Sequence, residues 1–154
     1  MTVAQKEQEA LETLLQTLLE SLDLDVGLEV EPKESGLYFN ISGPDAHLFL
    51  KNREDTIRGI TFLLQTYQQK HFPESEVNLK VDAENALLER EKELQAMALE
   101  VAERLAVQGD EYLLDPLNPY ERRLVHLALV GLEHIETESL GDGHFKRMKI
   151  SRIK

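Results

Sequence analysis

Apolar residues recur three and four apart along residues 4–22, as Leu11, Leu14, Leu15, Leu18, Leu19 and Leu22. That is the period of a helix with one buried face. The pattern then changes. Val26-Gly27-Leu28-Glu29-Val30 alternates as a strand, Gly36-Leu37-Tyr38-Phe39-Asn40-Ile41 reads as a second, and Pro32-Lys33-Glu34-Ser35 is the hairpin loop between them. Ser42-Gly43-Pro44-Asp45 opens a short helix through Leu50. A longer helix is predicted over residues 55–69, with Ile57, Ile60, Leu63 and Leu64 inward. Pro73 breaks the chain, and Val77-Asn78-Leu79-Lys80-Val81 makes a third strand.

From Asp82 a helix is predicted to run to Gln108, with Asp82 as its cap, Gly109 as its stop, and Leu87, Leu94, Met97, Ala98, Val101 and Leu105 as its buried stripe. Its many glutamates, interrupted by Arg90, Lys92 and Arg104, read as a solvated face. Tyr112-Leu113-Leu114, Ile135-Glu136-Thr137-Glu138-Ser139 and Phe145-Lys146-Arg147-Met148-Lys149-Ile150 are short strands, the last two joined by the turn Leu140-Gly141-Asp142-Gly143. Between the first and second lies a helix with its own start signal. Asn118 caps it, Pro119 suits the first helical position, and Glu121 completes a capping box. At 100° per residue Tyr120, Leu124, Leu127 and Ala128 share one face with Gly131, which is expected to be buried. Arg122 and His126 then stack on the opposite face, with Arg123 at its edge. The reading is α+β, in two halves: residues 1–82, and residues 83–154 with 83–108 as a connecting helix.

Composition narrows the function classes. The chain has 154 residues, 42% of them apolar and 30% charged, as in a globular protein. No apolar run approaches a membrane span and no signal pattern opens the chain, so the cytoplasm is the expected location. There are no cysteines, and the five histidines are scattered, so neither a metal site nor a cofactor is expected. No Ser-His-Asp arrangement, Walker loop or dinucleotide fingerprint appears, and catalysis is not expected. The net charge of −12 opposes attraction of nucleic acid to the molecule as a whole. Its distribution is uneven. Residues 1–82 carry 7 basic and 15 acidic groups, residues 83–115 carry 3 and 9, and residues 116–154 carry 7 and 5. The one basic region holds the Arg122–His126 helix and the tail from His144 to Lys154.

Asn118-Pro119-Tyr120-Glu121-Arg122-Arg123-Leu124-Val125-His126 resembles the signature of the R-three-H nucleic-acid-binding domain, named for Arg-x-x-x-His. The lead-in and the later Thr137-Glu138-Ser139-Leu140-Gly141 are similar to the bacterial Jag family, in which a KH domain comes first. The first half has the element order of a type II KH fold: helix, strand, strand, helix, helix, strand. The resemblance implies binding of single-stranded nucleic acid, with RNA favoured over DNA. It also implies a Gly-x-x-Gly loop at Lys51-Asn52-Arg53-Glu54. Both glycines are missing there, and Glu54 adds a carboxylate, so this half is read as a degenerate KH domain kept for structure or protein contact. Jag members usually carry a further small N-terminal domain, which has no counterpart in this reading of the chain.

The candidate contacts are therefore Arg122, Arg123 and His126 with Phe145, Lys146, Arg147 and Lys149. Arg122 offers a planar fork of donors to a phosphate, and His126 either donates to a phosphate or sugar or is a structural histidine. In the last strand Phe145, Arg147 and Lys149 point one way and Lys146 the other, with Met148 and Ile150. The ring is then either a stacking platform flanked by cations or a core residue at a strand end. Two functions stay open. One is a non-catalytic single-stranded nucleic-acid-binding protein acting through the second half. The other is an interaction module whose acidic first half docks a basic protein partner.

Overall fold

The computed structural model describes residues 1–153, Arg53 by its backbone alone. Lys154 of the basic tail and the Arg53 side chain of the Gly-x-x-Gly position lie outside the described residues. The chain divides into two compact units, Met1–Leu87 and Leu88–Lys154.

In the first unit α1 (Val3–Ser21) is capped by Thr2 and Gln5 in a reciprocal box. β1 (Gly27–Lys33) and β2 (Gly36–Ser42) pair antiparallel, and β3 (Leu79–Ala83) pairs parallel to β2, giving the order β1-β2-β3. Lys33 faces Gly36 in the register, so only Glu34 and Ser35 turn the hairpin, and Pro32 and Lys33 belong to the edge strand rather than to the loop. Proline is tolerated there because an edge strand has no second neighbour to donate to. The short helix expected through Leu50 is two 3₁₀ turns, Ala46–Leu50 and Asn52–Glu54, ahead of α2 (Asp55–His71). Leu11, Leu15 and Leu19 of α1 and Ile57, Ile60 and Leu64 of α2 close on Leu37, Phe39 and Ile41 of β2. Leu63 is not inward but 53% exposed: the buried stripe follows Ile57, Ile60, Leu64 and Gln68, and Leu63 lies about a quarter-turn off it.

Tyr38 and Asn40 of β2 are buried as well, on the face away from the helices. The Tyr38 hydroxyl lies 2.7 Å from Asp82 Oδ2 and 2.9 Å from Asn85 Oδ1, and Asn40 Oδ1 accepts from the Asn85 amide. One hydroxyl proton cannot serve two acceptors fully. The Asp82 carboxylate, at the shorter distance, and Asn85 Oδ1 share it as acceptors. This network moves the helix start. β3 runs on to Ala83, Glu84 and Asn85 adopt left-handed backbone (φ 51° and 53°), and α3 is Ala86–Val107, not a helix from Asp82. Asp82 is a fully buried strand residue. Its Oδ1 still accepts from the Leu87 amide at 3.0 Å, so it caps the helix through space without being its N-cap residue.

At residues 51–54, where a Gly-x-x-Gly loop is expected from the resemblance, two residues adopt backbone that glycine would favour. Asn52 and Glu54 sit at φ 55° and 66°, while Lys51 is extended at φ −71°. Glu54 thus occupies a left-handed residue just before α2 that a glycine would take with little strain.

The second unit continues α3 and adds β4 (Glu111–Leu113), α4 (Pro119–Leu129), β5 (Ile135–Leu140) and β6 (Arg147–Arg152). Its sheet has the order β4-β6-β5, antiparallel throughout, with β6 central. Leu94, Ala98, Val101 and Leu105 of α3 pack with Leu114, Leu117, Val125, Leu129, Met148 and Ile150. The architecture is α+β, as the sequence implies. Among the described residues no helix is long and apolar enough to cross a membrane.

Candidate nucleic-acid interface

α4 starts as its sequence dictates. Asn118 Oδ1 accepts from the Glu121 amide at 2.9 Å, and Glu121 Oε2 accepts from the Asn118 amide at 3.1 Å. The same carboxylate takes Arg90 Nε of α3 at 3.0 Å through Oε1, and Tyr120 Oη donates to Glu91. Both bonds fasten the first turn of α4 to α3.

The buried face of α4 is not the expected one. Val125 and Leu129 are buried, while Tyr120 and Leu127 are 53% and 54% exposed. Two adjacent arcs of this helix are apolar, and helical period alone cannot rank them. The sheet decides, because Leu117, Met148 and Ile150 lie against the Val125–Leu129 arc. The choice turns Arg122, three residues before Val125, toward the protein. It is half-buried rather than held out on the face opposite the core. Arg122 Nη1 donates to the Leu117 carbonyl at 2.7 Å and to the His144 carbonyl at 3.0 Å. Leu117 and Lys146 are themselves paired in a backbone bridge. Arg122 therefore ties α4 to both chain segments beside it, and its Nη2 and Nε carry no bond among the described residues.

His126 is exposed one turn further on, and its Nδ1 lies 2.8 Å from Thr137 Oγ1 on β5. Thr137 faces Ile150 in the register, which puts its side chain on the helix side of the sheet. It fixes the plane of the imidazole and leaves Nε2 without a partner among the described residues. Thr137 is absent from the contacts read off the sequence. Its signals are the strand parity it shares with buried Ile135 and its place at the head of the Thr137-Glu138-Ser139-Leu140-Gly141 segment. Arg123 is exposed, without an ion pair among the described residues.

The last strand divides the expected site. Met148 and Ile150 are buried, so Lys146 lies on their side, half-buried, and Arg147 and Lys149 lie on the other face of the sheet. The two cations meet carboxylates there: Arg147 Nη2 is 3.7 Å from Asp115, and Lys149 Nζ is 2.9 Å from Glu138, its partner in the strand register. The hydrogen bond and charge of Glu138, opposed by desolvation and aided by Glu111 and Glu136, raise the Lys149 pKa above the ordinary lysine value. That face is not the aromatic and cationic platform expected of it, because its cations are matched by carboxylates. The sheet separates Arg147 and Lys149 from His126. Phe145 lies in the loop before β6, 42% exposed and so not a core residue, with its ring edge-to-face with His144 at 5.1 Å and 74°. Among the described residues no three His, Asp or Glu side chains are grouped to hold a metal ion.

The R-three-H domain family matches residues 92–152. These residues are an R-three-H domain. Three bacterial relatives extend the similarity toward the N-terminus. The chain is 27% identical over 150 residues to the RNA-binding protein KhpB of Clostridium symbiosum, covering 97% of this chain and 66% of the relative. It is 28% identical over 139 residues to KhpB of Bacillus subtilis (strain 168), covering 89% and 66%, and 26% identical over 127 residues to KhpB of Lactiplantibacillus plantarum, covering 82% and 39%. The chain thus spans just under two thirds of the length of the first two relatives. Similarity over most of the chain bears out the resemblance read from Asn118-Pro119-Tyr120-Glu121-Arg122 and its surroundings. In this R-three-H domain the Arg-x-x-x-His pair is uneven: the arginine is a partly engaged clamp and the histidine an exposed, oriented ring.

Proposed function

We propose that this chain binds single-stranded RNA, without catalysis and in the cytoplasm, along the exposed edge of α4. The observation that carries the reading is His126, exposed on α4 and held by Thr137 through Nδ1, one turn after Arg122 and three residues after the exposed Arg123. Arg123 supplies a whole guanidinium, Arg122 its remaining nitrogens, His126 a ring donor, and Lys146 a further charge at the rim. The relatives' designation as RNA-binding proteins supports RNA as the ligand. With a net charge of −12 the molecule has no long-range pull on RNA, so affinity rests on these local contacts.

About three phosphate contacts on a single strand give a salt slope of roughly −2, at ~0.7 per phosphate. The test is a fluorescence-anisotropy titration of labelled single-stranded RNA at several salt concentrations. Arg123→Ala should weaken binding by ~1.5–3 kcal/mol, the scale of a lost charge-assisted contact, and flatten the slope by about 0.7. His126→Ala should weaken it too, whereas Arg147→Ala and Lys149→Ala should not. A wild-type chain that binds no RNA, or an Arg123→Ala variant of unchanged affinity, overturns the reading. The acidic first half, with 7 basic against 15 acidic residues over positions 1–82, favours a basic protein partner as the second reading. That reading takes over if RNA does not bind.

A further inference from the structure

We infer that His144 and Phe145 form a stacking subsite for one unpaired base, and that Arg122 is the positioning residue that holds this subsite beside the phosphate contacts. The inference rests on the RNA-binding reading above and names what the site takes besides phosphate. The two rings stand in the loop between β5 and β6, where Gly141 and Gly143 adopt left-handed backbone (φ +97° and +91°). A loop with two such glycines has little stiffness of its own. It is pinned from outside: Arg122 Nη1 bonds the His144 carbonyl at 3.0 Å, and the Lys146–Leu117 bridge closes the loop just after Phe145. The clamp acts on the backbone of the residue that carries one ring and precedes the other.

The ring geometry suits a base. Phe145 and His144 are edge-to-face, 5.1 Å apart at 74°. A flat heterocycle parallel to one ring meets the other nearly edge-on, so both rings touch a single base. Neither nitrogen of the His144 ring has a hydrogen-bond partner among the described residues, so one is available to a base edge. Only an unpaired base can enter, because in a duplex both base faces are covered by neighbours. The free nitrogens of Arg122 lie on the guanidinium that pins this loop, which places a phosphate contact next to the base contact.

The experiment compares a labelled single-stranded oligoribonucleotide with an abasic oligoribonucleotide of the same length. Phe145→Ala should bind the base-bearing RNA roughly 5- to 150-fold more weakly, the range for one lost stacked base, with an unchanged salt slope because no phosphate contact is lost. It should bind the abasic strand as the wild type does. Phe145→Leu keeps apolar bulk without a π face and should lose the same affinity, while Phe145→Trp should keep it. Circular dichroism of each variant confirms the fold. Arg122→Met should lose both the base-dependent and the abasic binding. If the wild type binds both strands equally, or Phe145→Ala and Phe145→Leu bind the base-bearing RNA like the wild type, the subsite is overturned and RNA binding through α4 stands. If the wild type binds neither strand, the RNA-binding reading falls and the subsite with it.

Discussion

Arg122→Ala should destabilise the second unit. A surface arginine on a helix would cost little to remove, but Arg122 holds the Leu117 and His144 carbonyls through one nitrogen, at 2.7 and 3.0 Å. A hydrogen bond from a charged donor is worth ~1.5–3 kcal/mol net. Two corrections lower the sum. Leu117 O keeps its bond from the Lys146 amide at 3.0 Å, and His144 O lies in an exposed loop where water replaces the guanidinium. The pair together is then worth about 1.5 kcal/mol, at the low end of that range for one such bond. For a unit of this size each kcal/mol moves the midpoint by ~4–8 °C, so the loss should be roughly 6–12 °C. Arg122→Met keeps most of the apolar stem and removes the donors, which separates hydrogen bonding from packing. Scanning calorimetry of the whole chain, with the Val125 and Ile150 amides followed by NMR in parallel, reads the second unit. If both variants melt with the wild type, the clamp contributes nothing and Arg122 acts on the ligand alone.

Further outcomes follow from other contacts. Tyr38→Phe removes a donor from the fully buried Asp82 carboxylate and should destabilise the first unit by ~1–3 kcal/mol, read by urea denaturation. Gly36→Ala should cost roughly 3 kcal/mol or more and be visible as poor folding, since its Cβ would collide with the Asn78 carbonyl at φ +135°. Lys149 has a raised pKa, so its pairing with Glu138 stabilises the fold fully below the ordinary lysine range and is lost as pH rises through the native value. Glu138→Gln should lower the Lys149 titration midpoint seen by NMR, and its stability should differ from the wild type least at the alkaline end.

Much of this protein was legible in its residues because the relevant signals are local. The capping box at Asn118 and Glu121 needs only four residues to form, and it is found as read. The leucine period of α1 is a property of a single element, and it marks Leu11, Leu15 and Leu19, which the first core buries. The candidate residues were read as one group, and the fold divides that group. Arg122 and His126 sit one turn apart on α4, yet Arg147 and Lys149 lie on the other face of the sheet.

What the chain by itself determined was therefore element type, element order and the chemistry of the basic region. What only the tertiary structure decided was direction. α4 has two apolar arcs of similar strength, and the packing of Met148 and Ile150 against Val125 and Leu129 chose between them. That one rotation turned Arg122 from an outward charge into a clamp. In the same way, the register Glu138↔Lys149 neutralised a cation that the sequence shows only as part of a basic run. Asp82 was moved from helix start to buried strand by a hydroxyl from Tyr38, 44 residues away. Local periodicity sets which faces an element has. Which face is buried, and which charge meets which, depends on partners far along the chain, and the folded packing supplies them.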